Sequence, residues 1–146
     1  MTSINDPLKL ILNINAAQGV LQKKMDAALA SHGITLTDFT IFLQLSLANE
    51  EKMRRVDLAE KVGLTASGIT RVLSPLEKLG LVRREAHSRD ARVSYVKLAP
   101  AGKRILNESI QSAQSSAAEL LATYRSTKIT ELNKVLFRIG GENTIP

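Results

Sequence analysis

Residues 54–98 read RRVDLAEKVGLTASGITRVLSPLEKLGLVRREAHSRDARVSYVKL, and they are the most informative part of the sequence about its architecture. A short apolar helical pattern ends at Gly63, and a second helix begins at Thr65, whose hydroxyl suits a helix N-cap. Two strand patterns then flank a basic loop that runs from His87 to Arg92. The order helix, tight turn, helix and basic hairpin is typical of proteins that place the second helix in the major groove of duplex DNA and the loop in a neighbouring groove.

The helix that begins at Thr65 has two different faces. Apolar residues recur at helical spacing and predict its buried side, namely Ile69, Val72, Leu73 and Leu76. The outward side carries small hydroxyls and two cations, namely Ser67, Thr70, Arg71, Ser74 and Lys78. These residue types suit close approach to base edges and phosphates, although an ordinary solvated face is the alternative. Pro75 predicts a bend, because proline removes one backbone hydrogen bond from a helix.

The hairpin pattern covers Leu81–Ala86 and Val93–Leu98. The six residues between these strands predict a long exposed loop and not a tight turn. Two strands alone are only marginally stable, so the hairpin is expected to pack on the helices.

The positive charge of the chain is concentrated around this motif. The sequence carries a formal net charge of +6. Between Glu50 and Arg104 there are 13 Lys and Arg against 7 Asp and Glu, whereas the remaining residues contain seven of each. A localised basic surface indicates a polyanionic partner. An isolated charge run is more often a solvated face, but the overlap with a DNA-binding motif favours double-stranded DNA as the partner.

Composition excludes several other classes of protein. The 146 residues, 44% of them hydrophobic, are enough for a single domain with a real core. Aromatic residues make up only 3%, so stacking on single-stranded bases is not the expected binding mode. The absence of cysteine removes disulfides and thiolate metal sites. No apolar run approaches the ~20 residues of a membrane span, and no signal peptide pattern is present, so we expect a cytoplasmic protein with no membrane partner.

Apolar helices flank the motif on its N-terminal side. The first is expected to begin with Asp6 as its cap and to end at Gly33, and its apolar residues cover most of its circumference. Residues 35–38 match a capping box that begins a second helix. Residues 49–53 are expected to form a polar connection to the next helix.

Two further helices are expected after the hairpin. Pro100 begins a fifth helix that extends to about Tyr124. Ser126 and Thr127 are expected to cap a sixth helix, which ends at Gly140. The last five residues are expected to fray.

With these residues in place, the chain resembles the MarR family of bacterial transcription regulators over nearly its whole length. Residues 90–102, DARVSYVKLAPAG, are similar to the family's wing signature, in which Asp-x-Arg precedes a strand and Leu-Thr-x-x-Gly. Residues 58–65, LAEKVGLT, and residues 76–82, LEKLGLV, resemble the family's helix-turn-helix. Ala99 departs from the pattern, because the family has a threonine there whose hydroxyl caps the following helix.

The resemblance implies a mainly α fold with a small β-hairpin, which is a winged helix-turn-helix with long flanking dimerisation helices. It implies a DNA-binding lobe at residues 36–99 and a dimerisation lobe formed by residues 7–33 and 100–140. It further implies a homodimeric, sequence-specific regulator, expected to be a repressor released by a small-molecule effector. Two-fold symmetry would place two recognition helices about one DNA turn apart, ~34 Å, on a near-palindromic operator.

The family's residue roles carry over by position. Arg92 matches the wing arginine that reaches the minor groove, and Asp90 matches the acidic residue that orients the wing. From the residues alone, Asp90 could equally be a plain turn-forming aspartate. The candidate DNA-binding residues are Arg54, Arg55, Thr65, Ser67, Thr70, Arg71, Ser74, Lys78, Arg89, Asp90 and Arg92.

Other features point less clearly to a function. Asn13, His32, Phe39 and Phe42 could line an effector pocket, although core packing is the favoured role of both phenylalanines. No cofactor is expected.

Three other classes of function are disfavoured by the residues present. A metal-responsive regulator is disfavoured because the chain has no cysteine and only two histidines, His32 and His87. A winged-helix protein-interaction module without DNA binding would not need the local charge surplus. An enzyme is not expected, because the sequence has no Gly-rich phosphate loop and no nucleophile motif.

Overall fold

The computed structural model describes residues 2–146, which form helices around a small sheet. The helices and strands are α1 Asp6–Leu29, α2 Leu36–Leu47, β1 Lys52–Arg54, α3 Arg55–Lys61, α4 Ala66–Lys78, β2 Val82–Ala86, β3 Ser94–Leu98, α5 Pro100–Leu120 and α6 Ser126–Gly140. Short 3₁₀ turns occur at Ala30–His32, Asn49–Glu51 and Gly141–Asn143. The fold predicted from the sequence, mainly helical with a small antiparallel sheet, is confirmed.

The core lies around α2, which packs against α1, α3, α5 and the sheet. The largest side chains with no exposed surface include Leu29, Ile41, Phe42, Leu45, Leu58 and Leu73. Burying such side chains removes apolar surface from water and is the main stabilising contribution to the lobe that carries the helix-turn-helix. Phe42 therefore has the core role that the sequence favoured, and Phe39 packs against the same cluster.

The sheet has three strands in the order β1-β3-β2, all antiparallel. The expected two-stranded hairpin was therefore incomplete, and the polar connection expected at residues 49–53 was wrong. Met53 pairs with Val96, and Arg54 pairs with Tyr95. A strand of three residues is too short to show an alternating pattern, and its partner is more than 40 residues away in sequence. The added strand covers the second edge of β3, which a lone hairpin would leave open.

Several helix ends differ from the expected ones. The capping box at α2 is confirmed, because the Asp38 N–H donates to the Thr35 hydroxyl at 3.1 Å and the Thr35 N–H donates to the Asp38 carboxylate at 3.0 Å. The cap of α1 is Asn5 and not Asp6, since the Asn5 side chain accepts from the Leu8 N–H at 3.0 Å.

The caps of the C-terminal helices were predicted less well. Neither Ser126 nor Thr127 caps α6, whose N-cap position is Arg125 with no side-chain cap. Helix α5 ends at Leu120, four residues before the expected end. Helix α4 runs through Pro75 as one element, and the bend expected there stays a prediction.

Helix α5 begins in close contact with the turn that follows α4. The Ala99 N–H donates to the Leu81 carbonyl oxygen at 3.1 Å. A Cβ at Gly102 would lie 2.2 Å from that same oxygen, so only glycine allows this approach. The contact attaches the long C-terminal helices to the base of the hairpin.

Large apolar side chains remain exposed on α1, at the end of α5 and on α6. All but three of the 20 exposed large hydrophobic residues belong to residues 4–21 and 110–145. Ile11 is 64% exposed and Ile139 is 69% exposed. The chain end lies against α3, where the Lys61 ammonium donates to the Glu142 carbonyl oxygen. The fraying expected for the last five residues stays a prediction. In residues 2–146, every helix is too short or too polar to cross a membrane.

Candidate nucleic-acid interface

The turn between α3 and α4 has the local chemistry that the sequence predicted. Gly63 adopts a φ of 69°, a left-handed backbone conformation that residues with a Cβ rarely adopt. The Leu64 N–H then donates to the Ala59 carbonyl oxygen at 2.9 Å, and the Thr65 hydroxyl accepts from the Gly68 N–H at 3.0 Å. Thr65 is thus the N-cap of α4, as expected, and it fixes where the exposed helix begins.

Helix α4 separates a buried face from an exposed face as predicted. Ile69, Leu73 and Leu76 are buried, and Val72 is half-buried against the core. The exposed residues of the polar face are Thr65, Ser67, Thr70, Arg71 and Lys78, and Ser74 is half-buried. Most of the hydroxyl groups lie in the first half of the helix, and the polar side of that half is exposed to solvent.

Arg55 is held inside the lobe and is not freely exposed. Its guanidinium lies 3.4 Å from the Glu77 carboxylate and 3.4 Å from the Thr70 hydroxyl. The side chain is only 17% exposed, and it connects the start of α3 to the middle and end of α4. To bind a phosphate, Arg55 would have to leave these partners. The neighbouring Arg54 is exposed and faces no such cost.

The wing is the hairpin formed by β2, β3 and the loop between them, and Asp90 makes the main side-chain contacts at its tip. Its carboxylate oxygen Oδ1 accepts from the Arg92 backbone N–H at 3.0 Å and from Arg92 Nε at 3.3 Å. Both roles that the sequence left open are therefore present, since Asp90 forms the turn and also pairs with the guanidinium. The Arg92 side chain is 92% exposed and stands at the end of the hairpin. Arg89 is exposed in the same loop.

The base of the wing contains contacts that sequence reasoning missed. The His87 ring stacks on Tyr95, with ring centroids 5.7 Å apart, and Lys52 Nζ lies 5.3 Å from the centre of the Tyr95 ring. Lys52 also pairs with Glu50 at 2.9 Å and with Glu85 at 3.1 Å. Hydrogen bonding to Glu50 and to Glu85 raises the pKa of Lys52, and the same bond to Lys52 lowers the pKa of Glu50. The histidine at the start of the basic loop was the only visible signal, because Lys52 lies on the strand that the sequence did not reveal.

The remaining candidates do not form a second site. His32 Nε2 lies 2.9 Å from the Ser112 hydroxyl on α5, which joins the end of α1 to the long C-terminal helix. Asn13 is exposed on α1, away from the core cluster. Among residues 2–146, no group of three or more His, Cys, Asp or Glu is arranged to hold a metal ion.

A helix-turn-helix with an exposed polar face, followed by a hairpin with a cationic tip, defines a winged helix-turn-helix DNA-binding protein. The sequence model of the MarR family matches residues 34–94. The HTH-type transcriptional regulator MhqR of Bacillus subtilis is 23% identical over 133 residues, which cover 91% of this chain and 90% of MhqR.

Two solved structures extend this similarity over most of the chain. The transcriptional regulator BldR of Sulfolobus solfataricus is 30% identical with a TM-score of 0.79, and the match covers 94% of this chain and 99% of BldR. The transcriptional regulator MosR of M. tuberculosis, solved in complex with DNA, is 25% identical with a TM-score of 0.75 and covers 89% and 92% of the two chains. This chain belongs to the MarR family and is a DNA-binding transcription regulator, not an enzyme.

Proposed function

We propose that this regulator is a homodimeric repressor that binds a near-palindromic operator and is released by a small ligand. The DNA-binding part of the proposal rests on the position of Arg92. This side chain lies at the wing tip, contacts the Asp90 carboxylate through Nε and is 92% exposed. An oriented, solvated guanidinium can enter a narrow A·T-rich minor groove, where the negative potential is strongest. Its position on the same lobe as α4 supports a joint reading of one major and one minor groove.

The DNA contacts divide by chemistry. Thr65, Ser67 and Thr70 present hydroxyls that can reach base edges or phosphates in the major groove. The exposed cations of this surface, which would bind mainly phosphates, are Arg54, Arg71, Lys78 and Arg89. Ser74 would contribute from the edge of the helix face. Asp90 acts through Arg92, and Arg55 would contribute only if DNA displaces it from Glu77.

Homodimerisation is supported by the exposed apolar surface of α1, α5 and α6. Leu8 and Ile11 on α1 and Leu132 and Leu136 on α6 are each more than 40% exposed, and exposed apolar side chains in such number favour a partner that covers them. A second copy supplies the same surface and can cover it in a two-fold interface. We therefore assign residues 7–33 and 100–140 to dimerisation and residues 36–99 to DNA binding.

Release by a small ligand is supported by a groove between these two lobes. Its volume is about 520 Å³, and it is lined by Met53 and Lys61 from the DNA-binding lobe and by Phe137 and Ile145 from the C-terminal end. A ligand there would change how the 3₁₀ turn at Gly141–Asn143, which follows α6, contacts α3. Such a ligand shifts the population of dimers whose recognition helices have the spacing that DNA requires.

The test selects bound sequences from a pool of random duplexes and measures their affinity by gel shift. We expect a near-palindrome whose half-sites are about one helical turn apart, with an affinity that falls steeply as salt rises. Arg92→Ala should weaken binding about 10-fold, as removal of a specific contact does. Arg125→Ala, at an exposed arginine outside the candidate DNA-binding residues, is the control. Once sedimentation velocity has shown that this variant forms the same dimer, its affinity should equal that of the unaltered protein.

Two outcomes would contradict the proposal. If no sequence is enriched over the random pool, the chain does not bind a specific operator. If Arg92→Ala binds as tightly as the unaltered protein, the wing does not carry the contact. A reporter gene placed behind the selected operator separates repression from activation by the sign of its response.

A further inference from the structure

The turn of the wing is held by the imidazole of His87. This residue follows the last residue of β2, and its Nδ1 accepts from two backbone N–H groups, that of Arg89 at 3.1 Å and that of Asp90 at 3.2 Å. At the base of the loop between β2 and β3, the His87 N–H donates to the Val93 carbonyl oxygen at 3.2 Å. One ring nitrogen thus satisfies two donors that the strands cannot reach.

The sheet fixes the ring from its other side. His87 stacks on Tyr95 with an angle of 21° between the ring planes, and Tyr95 lies on β3 opposite Glu85 and Arg54. Lys52 Nζ, from β1, lies 5.3 Å from the centre of the Tyr95 ring. The imidazole therefore has little freedom to turn away from the loop that it caps.

The same loop carries the arginine that we assign to the minor groove. The backbone N–H of Asp90 donates to His87 Nδ1, and the Asp90 carboxylate accepts from both Arg92 N and Arg92 Nε. If the bond to His87 is lost, Asp90 keeps the bond that its carbonyl oxygen accepts from the Val93 N–H at 3.1 Å and its contacts with Arg92, but its own backbone N–H has no acceptor. The direction of the guanidinium is then held less firmly. His87 therefore contacts the backbone of Asp90, and the side chain of Asp90 contacts Arg92.

We propose that His87 is a positioning residue for DNA binding, which acts by supplying the hydrogen-bond acceptor that sets Asp90 and, through it, Arg92. This inference rests on the proposed role of Arg92. The required chemistry is a lone pair at Nδ1, so the ring carries its proton on Nε2. A side chain that offers an oxygen at the same place can do the same work, as asparagine does in turns of this kind.

The test is a double-mutant cycle on operator affinity, using the full-length protein and the selected operator. His87→Ala should weaken binding about 10-fold, because the guanidinium of Arg92 is then held less firmly. In a chain that already carries Arg92→Ala, His87→Ala should change affinity by no more than about 2-fold, since it acts through that arginine. His87→Asn should restore binding to within about 3-fold of the unaltered protein.

A second measurement separates positioning from a general loss of structure. Hydrogen exchange at the Arg89 and Asp90 amides should accelerate in His87→Ala and should slow again in His87→Asn, while exchange in α2 stays unchanged. Equal losses from His87→Ala in both backgrounds would overturn the proposal, because the ring would then act independently of Arg92. Binding by His87→Asn as weak as that of His87→Ala would overturn the role of the acceptor. If Arg92→Ala itself leaves affinity unchanged, the proposed function of the wing fails first, and the role of His87 fails with it.

Discussion

Gly102, near the start of α5, packs tightly against the DNA-binding lobe. A methyl group there would lie 2.2 Å from the Leu81 carbonyl oxygen and 2.9 Å from the Leu98 side chain. Gly102→Ala should therefore reduce the free energy of unfolding by about 1–3 kcal/mol, as overpacking of a tight contact usually does. Urea denaturation followed by circular dichroism measures this loss.

The control for this substitution lies on the same helix. Asn107 is exposed on α5, and Asn107→Ala should leave stability unchanged or raise it by roughly 0.5 kcal/mol, because alanine is the better helix former. If both variants unfold at the same urea concentration, the contact between Gly102 and Leu81 is not a tight one in solution.

Arg55 shows how a residue type can suggest a role that its surroundings change. In the sequence it is one of two adjacent arginines before a helix, which suits phosphate binding. In the folded chain its partners are Glu77 and Thr70, both on α4, and only 17% of its side chain is exposed. A partly buried pair of this kind orients α4 against α3, and that role could not be seen without knowing which carboxylate lies beside it.

At the scale of the elements, α5 begins without a side-chain cap. Ala99 occupies the N-cap position with the extended backbone that a cap requires, at φ −83° and ψ 158°. Ala99→Ser adds the missing hydroxyl and should raise the free energy of unfolding by roughly 1 kcal/mol. The thermal midpoint, measured at fixed protein concentration, should rise accordingly.

The capping box of α2 calibrates this expectation within the same chain. Thr35→Ala removes a hydroxyl that accepts from the Asp38 N–H and should cost roughly 1 kcal/mol. A loss from Thr35→Ala without a gain from Ala99→Ser would mean that the buried surroundings of Ala99 do not accept a polar atom.

At the scale of the whole molecule, the exposed apolar surface predicts association through α1. Ile11 is 64% exposed on this helix. Ile11→Glu places a charge in the proposed interface and should shift the dimer to monomer at micromolar concentration, since a buried unpaired charge is strongly unfavourable. Sedimentation velocity measures the change in molecular mass.

The matched control lies outside the proposed interface. Leu79 is 69% exposed at the end of α4, and Leu79→Glu should leave the dimer intact. A dimer that survives Ile11→Glu at the same concentrations would show that copies do not meet through this part of α1.

Much of the fold and of the candidate site follows from patterns that lie within about ten residues of one another. The Thr65 cap, the Gly63 turn, the two faces of α4 and the link between Asp90 and Arg92 are all local, and each is present as predicted or as one of two stated alternatives. Local features depend on backbone preferences and on neighbouring side chains, which the sequence states directly.

The features that escaped prediction join distant parts of the chain. Strand β1 exists because Met53 meets Val96, and the role of Arg55 depends on Glu77. Lys52 reaches Tyr95 and Glu85 only because β1 joins the sheet. None of these partners can be identified from spacing, because folding brings together residues that a single sequence does not mark as neighbours. Short motifs in the sequence therefore indicated the class of protein. The contacts that orient its candidate DNA-binding side chains depend on packing between segments that are distant in the sequence.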